Sequence, residues 1–318
     1  MVLCFTPFTT EGATLLTAVV FILSVAYNLL FIFVGGIIAN RVEGSKKGRA
    51  GGWYQAGNLG GVGLGGGAGL WLATHYHVSV AGLVLCAVSL LSALAVLRIK
   101  DVQSNNQNGF KAEFINLGKD VVAMVKIPVV LFIIIMLCMP IGTGACSNLW
   151  SAIAGDWNTD ADTVALVTGL LGGLVGVVGS VAGGFLADRF GHWVAYLGSG
   201  TVCALVTVLM AVFPMEPYVY VTGVLAYGFG IGLINAAFTY VILYAVGTKN
   251  ATTKYSLLAS LGNVPVVYMT AINGWAHDQY NSKMMLLTEA ALCIAFVVIS
   301  VLILNWMRGR KMLVKEVG

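Results

Sequence analysis

The sequence predicts an all-α, polytopic membrane protein built from about nine transmembrane helices. Of the 318 residues, 58% are hydrophobic and only 9% are charged, whereas a soluble globular domain carries about 25% charged residues. Apolar runs of about 20 residues, the length that crosses the hydrocarbon core of a bilayer, recur along the whole chain between short polar connectors. These observations exclude a soluble fold.

Nine segments are long and apolar enough to be spans. In chain order they are 14–39, 52–73, 78–98, 127–150, 163–187, 193–213, 217–246, 255–275 and 284–306. Cytoplasmic connectors of membrane proteins are enriched in Lys and Arg, and all seventeen basic residues except Lys283 fall on alternate connectors. The predicted topology in the plasma (inner) membrane therefore has the N-terminus outside and the C-terminus in the cytoplasm. The net charge of +4 reflects this topology and requires no nucleic-acid partner.

No cofactor or metal site is predicted. The six cysteines include no Cys-x-x-Cys pair, so neither a disulfide framework nor a zinc site is indicated. His75, His77 and His277 fall in external loops without a third ligand nearby. The run 61–66 fits Gly-x-Gly-x-x-Gly, but it does not follow a strand and does not open a helix, as a dinucleotide site requires.

Glycine is unusually dense in the second predicted span, where residues 51–72 contain ten glycines. Small residues let membrane helices approach closely, so we predict two grooved helices that pack together. The glycines expected to line these grooves recur mainly at four-residue intervals: Gly57, Gly61, Gly65 and Gly69 in the second span, and Gly172, Gly176 and Gly184 in the fifth. The seam is either a static contact or a sliding surface between moving halves.

The loop after the fifth span carries a short motif. Residues 183–193 read GGFLADRFGHW and fit Gly-x-Leu-Ala-Asp-Arg-x-Gly through Gly184, Asp188, Arg189 and Gly191. This motif resembles the cytoplasmic loop motif of the major facilitator superfamily. Asp188 can accept hydrogen bonds from Arg189 or from the N-terminus of a facing helix, a contact that would hold an inner gate shut. The alternative is a solvated helix-end pair of little energetic weight.

The resemblance implies a partial twelve-helix fold made of two halves. In the family the motif follows the second helix of each half, so the nine spans correspond to the fourth to twelfth helices. Residues 1–99 then form the C-terminal part of the first half, 100–126 the cytoplasmic linker, and 127–318 the second half. The family's first three helices are not in this chain, and we expect that the 318 residues alone do not transport.

Three stretches suggest a branch within the superfamily. Residues 48–61, 146–173 and 254–263 resemble the branch that contains AmpG-type muropeptide permeases and acetyl-coenzyme A transporters. The resemblance implies a monomeric permease that works by alternating access of its two halves.

Polar residues at mid-depth in the spans are candidates for a cargo site, because polar groups are costly in lipid and the family's cargo lies between the halves. The candidates are Asn28, Gln55, Asn58, Thr143, Asn148, Asn235, Tyr240 and Asn263. Each could instead form a hydrogen bond between helices. Together they imply a neutral cavity for a polar organic molecule such as a muropeptide, a sugar or a peptide.

Glu289 is the only acidic residue inside a predicted span. It lies near the external end of that span, where its carboxylate is expected to reach water, so no proton-driven mechanism is indicated. Two other function classes stay open. One is a sensor, a receptor or a truncated carrier that does not transport. The other is a membrane-embedded enzyme, which is disfavoured because the spans hold neither a histidine nor a pair of acids.

Overall fold

The structure, a computed structural model, describes residues 13–76, 78–94, 126–246 and 251–310. These residues form helices joined by short connectors and include no β-strand, which confirms the all-α prediction. The helices are α1 (Ala13–Arg41), α2 (Lys47–His75), α3 (Val78–Ala93), α4 (Pro128–Leu137), α5 (Ala161–Phe190), α6 (His192–Val212), α7 (Pro217–Val246), α8 (Ala251–Leu261), α9 (Asn263–Gln279) and α10 (Ser282–Gly309).

Each of the nine predicted spans contains at least one helix. Among the described residues, α1, α5, α6, α7, α10 and the continuous α8–α9 unit are long and apolar enough to cross a membrane. The remaining three fall short of this standard for different reasons. α3 and α4 are shorter apolar helices, and the many glycines of α2 lower its mean hydropathy. The predicted linker 100–126 lies outside the described residues, apart from Lys126.

The fourth predicted span, 127–150, is wrong beyond Leu137, where α4 ends. The chain continues as an irregular segment, residues 138–149, in which Gly142 and Gly144 have left-handed φ angles of 57° and 77°. Glycine adopts such angles without strain, whereas other residues rarely do. Within a membrane, irregular backbone is tolerated only where it is buried in protein or lines a cavity. Here the hydroxyl of Tyr268 donates to the carbonyl of Cys138 at 2.8 Å.

Helix α5 is held between α2 and α7 by contacts that only glycine permits. A Cβ atom on Gly63 of α2 would lie 2.6 Å from Cα of Gly173 in α5. On the other side of α5, a Cβ atom on Gly183 would lie 2.6 Å from the carbonyl oxygen of Leu233 in α7. Both distances are shorter than a carbon atom allows, so these glycines set the close helix spacing.

The predicted pairing of α2 with α5 is therefore present, but the predicted face of α2 is wrong. Cβ atoms on Gly57, Gly61 and Gly65 would meet no atom of the described residues within 4 Å, and one on Gly69 would meet Leu85 of α3. The glycines of α2 that contact α5 are Gly48, Gly52, Gly60, Gly63 and Gly67. A residue four positions on lies about 40° further round the helix, so a strict four-residue row turns away from its neighbour. A contact row needs an occasional step of three.

Two of the three glycines predicted for the α5 side of the seam do contact α2. Gly176 lies against Leu59, and a Cβ atom on Gly184 would lie 2.7 Å from the carbonyl oxygen of Gly48. Gly172 differs, because the atoms nearest to its Cβ position belong to Val167 of its own helix. The α5 half of the seam therefore runs through Gly173, Gly176 and Gly184.

The two ends of the bundle differ in charge. At one end, here called the basic end, the start of α2 meets the ends of α5 and α7, with Lys47 and Arg49 among the side chains. At the other, here called the acidic end, Asp156 contacts Ser282 and His277. The orientation of these two ends in the membrane stays a prediction.

Candidate functional site

Two adjoining cavities lie at the middle of the bundle. Cavity A has a volume of about 210 Å³ and lies between α2, the irregular segment, α7 and the α8–α9 unit. Cavity B has a volume of about 380 Å³ and extends from there towards the acidic end, between α2, α5 and α7. Gly142, Thr143 and Asn235 line both. The irregular segment therefore forms the wall that the cavities share, where non-helical backbone is expected.

Five of the eight predicted cargo residues meet at these cavities. Those that line cavity A are Gln55, Asn58, Thr143, Asn235 and Asn263. They come from α2, the irregular segment, α7 and α9, so they belong to both predicted halves of the protein. None of the described residues that line either cavity is charged. A neutral set of amides and hydroxyls beside aromatic rings suits a polar organic molecule more than an inorganic ion.

The other three predicted residues lie outside both cavities. The Asn28 amide donates to the carbonyl of Ser24 on its own helix at 2.8 Å. Asn148 donates to the Thr270 hydroxyl at 3.0 Å. Tyr240 is five residues, or about 7.5 Å, beyond Asn235 along α7, and its hydroxyl donates to the carbonyl of Gly44 at 3.3 Å. These side chains serve contacts within and between helices.

A chain of hydrogen bonds, of which the one between Gln55 and Thr239 is buried, crosses from the first predicted half to the second beside cavity A. The Gln55 amide donates to the Thr239 hydroxyl of α7 at 2.9 Å, and Gln55 is only 4% exposed. The Asn58 amide donates to the Gln55 side-chain oxygen at 3.2 Å, and the Tyr27 hydroxyl of α1 donates to Asn58. Because each amide has both a donor and an acceptor side, a cargo that enters cavity A meets groups that are already oriented.

Asp188 of the loop motif joins α5 to α2 at the basic end. Its carboxylate accepts hydrogen bonds from the backbone N–H groups of Gly48 at 2.8 Å and Arg49 at 3.2 Å, and from Nε of Arg49 at 2.8 Å. An anion at a helix N-terminus is stabilised by the helix dipole and by the free N–H groups there. Of the two partners considered from the sequence, the facing helix is present. Arg189 instead lies 5.4 Å from the ring centre of Phe190.

Two further hydrogen bonds close the same end. The ammonium group of Lys47 donates to the carbonyl of Leu243 in the last turn of α7 at 2.8 Å, and partial burial lowers the pKa of Lys47. The Tyr240 hydroxyl adds the bond to Gly44 already described. Gly191, with a left-handed φ of 86°, ends α5 beside this contact. We call the contacts of Lys47, Gly48 and Arg49 with Asp188 and Leu243 the basic-end clamp.

Glu289 lies behind the wall of cavity B, and the expectation that its carboxylate reaches water is wrong. The side chain is 5% exposed, and it accepts hydrogen bonds from the Tyr227 hydroxyl and the Asn273 amide. The Cys146 thiol of the irregular segment donates to Oε2 of Glu289 at 2.9 Å. Cys146 was not among the predicted site residues. A signal was available, because Asn273 and Glu289 are isolated polar residues in two successive spans.

Comparison with known proteins identifies the family. No curated protein matches the chain. The family model described as Major Facilitator Superfamily matches residues 1–270, and the described residues supply the multiple apolar helices that a multi-pass membrane protein requires. The chain therefore belongs to the Major Facilitator Superfamily of membrane transporters.

Proposed function

We propose that this protein carries a polar organic molecule, such as a muropeptide, a sugar or a peptide, across the membrane by alternating access of two helical halves. The observation that carries the proposal is the convergence of Gln55, Asn58, Thr143, Asn235 and Asn263 on one cavity. A static bundle has no need to collect five amides and hydroxyls from both halves around empty space, because uncompensated polar groups are costly inside a membrane.

The cavities suit a molecule rich in hydroxyl and amide groups. Small-molecule sites typically have volumes of about 300 to 1,000 Å³. The combined volume of the adjoining cavities A and B falls within this range. Asn and Gln side chains pair with both donors and acceptors, and Phe31 and Phe238 add apolar faces to cavity A. A muropeptide is the first cargo to test, since three stretches resemble the muropeptide permease branch; free sugars and peptides come next.

The proposed mechanism places the cytoplasm at the basic end, in accordance with the positive-inside rule. The N-terminus then lies outside, the C-terminus inside, and the clamp closes the cavities towards the cytoplasm of a plasma membrane. Opening on that side would break the bonds of Asp188 and Lys47 and move α2 along the glycines of α5. Because one chain forms both cavities, we propose that the protein works as a monomer.

Uptake and binding of labelled muropeptide, sugar and peptide by liposomes that contain only this chain test the proposal. Saturable uptake of one cargo would support the proposal and overturn the expectation that these 318 residues alone do not transport. Asn235→Ala should raise KM at least about tenfold, a typical loss for a hydrogen bond to a buried polar group. Asn28→Ala, the same substitution outside the cavities, should leave KM unchanged.

Other outcomes distinguish the alternatives. Saturable binding without uptake would favour a receptor or a non-transporting carrier. Equal KM values for Asn235→Ala and the wild type would exclude cavity A as the cargo site. Chemical conversion of the cargo would favour an enzyme, although the described residues that line the cavities include no histidine and no acidic residue.

A further inference from the structure

A third cavity, here called the outer groove, lies on the outer surface of the bundle between α6 and α10. Its volume is about 330 Å³, and it shares no lining residue with cavity A or cavity B. Val194 of α6 and Val301 of α10 line it and are 57% and 40% exposed. Because both helices are long and apolar enough to span a membrane, lipid is the medium that this groove meets.

Most of the outer groove is lined by aliphatic side chains. Besides the two valines already named, these are Leu197, Val297 and Leu304. Gly198 leaves room between the helices, because a Cβ atom there would meet no atom of the described residues within 4 Å. The hydroxyl of Thr201 donates to the carbonyl of Leu197 in its own helix at 2.9 Å. This part of the groove therefore requires no polar group from an occupant.

The outer groove is about as long as one leaflet of a bilayer is thick. It runs along α10 from Val297 to Arg308, a distance of about 16 Å in an α-helix. The hydrocarbon core of a bilayer is about 30 Å thick, so the groove covers close to half of it. An apolar groove of this length fits one acyl chain of a lipid.

The end of the groove at the basic end of the bundle carries a positive charge. Arg308 and Asn305 lie there, both exposed, in the last two turns of α10. No described residue forms a salt bridge with Arg308; Glu43 and Asp188, the described acidic residues at this end, pair with other basic residues. None of the described residues that line the groove is acidic. The groove thus joins an apolar channel to a guanidinium group that lacks a counter-ion among the described residues.

We propose that the outer groove binds an anionic phospholipid of the phosphatidylglycerol type. A guanidinium group can donate two parallel hydrogen bonds to a phosphate, so the phosphodiester of the headgroup lies on Arg308. The Asn305 amide pairs with the hydroxyl groups of the headgroup, and one acyl chain follows the groove past Gly198. The inference is independent of the cargo and of the transport function proposed above.

The charges around the groove select this headgroup. Basic pockets between membrane helices bind anionic lipids. A phosphatidylethanolamine headgroup also carries a phosphate, but its ammonium group would find no carboxylate among the described lining residues and would be repelled by Arg308. Phosphatidylglycerol has neutral hydroxyl groups in the same place. The outer groove should therefore prefer the anionic lipid to the zwitterionic one.

Native mass spectrometry of the purified full chain in detergent, titrated with dioleoylphosphatidylglycerol or dioleoylphosphatidylethanolamine, tests the preference. The wild type should bind phosphatidylglycerol about fivefold more tightly, the factor expected for one basic residue near the membrane surface. Arg308→Gln should remove the difference. Arg310→Gln is the matched control and should keep it, because Arg310 lies 4.5 Å from the ring centre of Trp306 and does not line the groove. Equal affinities in the wild type, or equal losses in the two variants, would overturn the inference.

Cross-linking in lipid nanodiscs tests the place of binding. Phosphatidylglycerol with a photoreactive diazirine in its acyl chain should label residues 194–201 and 297–304. Gly198→Leu fills the groove and should lower this labelling about tenfold. Gly274→Leu, at another glycine whose Cβ would meet none of the described atoms within 4 Å, should leave it unchanged. Labelling confined to other segments, or unaltered in a folded Gly198→Leu protein, would refute the site.

Two further measurements keep the test decisive. If Gly198→Leu does not fold, Arg308→Gln at an exposed side chain replaces it and should lower the same labelling about fivefold. Glycerophosphoglycerol, the headgroup without acyl chains, should not displace the lipid at about a hundredfold excess, because it lacks the apolar surface that the groove would bury. Displacement by this headgroup would show a site for soluble phosphates instead of a lipid site.

Discussion

The carboxylate of Asp188 accepts a hydrogen bond of 2.8 Å from the backbone N–H of Gly48, which joins the last turn of α5 to the first turn of α2. Arg49 adds a second backbone bond and an ion pair of 2.8 Å. The approach depends on Gly184, because any side chain there would collide with the carbonyl of Gly48. One motif thus supplies both the charge of the contact and the space that it needs.

Asp188→Asn should loosen the basic-end clamp without changing its shape. The Arg49 side chain is 46% exposed, so the lost ion pair contributes about 1 kcal/mol. The population open at the basic end should therefore rise about fivefold. The measurement is the rate at which a thiol reagent, added from the basic side, labels a cysteine placed at Thr143.

The control for this experiment is Asp160→Asn, because Asp160 also caps a helix but lies at the acidic end, where it accepts from the N–H of Thr163 at 2.9 Å. It should leave the rate unchanged, and the unsubstituted protein gives the background of the native thiols. Equal rates for Asp188→Asn and the wild type would show that the contact does not hold the clamp.

The glycine seam predicts opposite effects for two neighbouring substitutions in α2. Gly63→Ala should destabilise the protein by about 1 to 3 kcal/mol, since the added carbon would collide with Gly173 and the helices cannot move apart freely. Gly61→Ala should be neutral or stabilise by up to about 1 kcal/mol, because its Cβ meets open space and alanine favours helix. Unfolding in detergent measures both. The reverse order would refute this register of α2.

The bond between Gln55 and Thr239 should couple the two predicted halves energetically. A double-mutant cycle with Gln55→Ala and Thr239→Val should give an interaction energy of about 0.6 to 1.7 kcal/mol, the range for hydrogen bonds between membrane helices. A cycle with Gln55→Ala and Ser89→Ala is the control, because Ser89 bonds only to Leu85 of its own helix. An interaction energy no larger than that of the control would leave this bond without a role in joining the halves.

Asp160 should make the start of α5 sensitive to acid. Hydrogen bonds from the Thr163 hydroxyl and backbone lower the pKa of this carboxyl group. A lowered pKa in the folded state stabilises the protein fully above the ordinary carboxyl pKa of about 3.9, and this stabilisation declines as the pH falls from there through the lowered pKa of the folded state. Asp160→Ala should thus lower the unfolding temperature more at pH 7 than at about pH 3.

Asp162→Ala, at an exposed neighbour, is the control for the acid experiment and should have little effect at either pH. If the wild type and Asp160→Ala differed equally at pH 7 and at low pH, the cap would contribute by some means other than its charge.

Helix positions could be predicted from the sequence, because spans and their order depend on local hydropathy and on the distribution of basic residues. The break in α4 could not, since Gly142 and Gly144 lie in an apolar run like the glycines of α2, which remain helical. Only the neighbours decide which glycine takes a left-handed angle. The glycines of α2 that face α5 were mispredicted for a related reason. They depend on the angle at which the two helices cross, and the sequence of one helix does not determine that angle.

The candidate site was predicted in part for the same reasons. Gln55, Asn58 and Asn235 were identifiable as polar residues inside spans. The prediction of Tyr240 as a cargo residue was wrong, because its position along α7 places its hydroxyl beside Gly44 and outside the cavities. The cluster around Glu289 was missed, because Cys146, Tyr227 and Asn273 lie far apart in the sequence and meet only through tertiary packing. Long-range contacts of this kind leave no local pattern.

Gly142 lines both cavities without contributing a side chain, so the surface it offers a cargo is peptide backbone. Point mutation can remodel an amide or a hydroxyl, but it leaves main-chain carbonyl and N–H groups in place. Under the proposed transport function, divergence towards new cargoes would proceed through Asn235 and its neighbours, while the backbone at Gly142 would keep a preference for ligands that can pair with peptide groups.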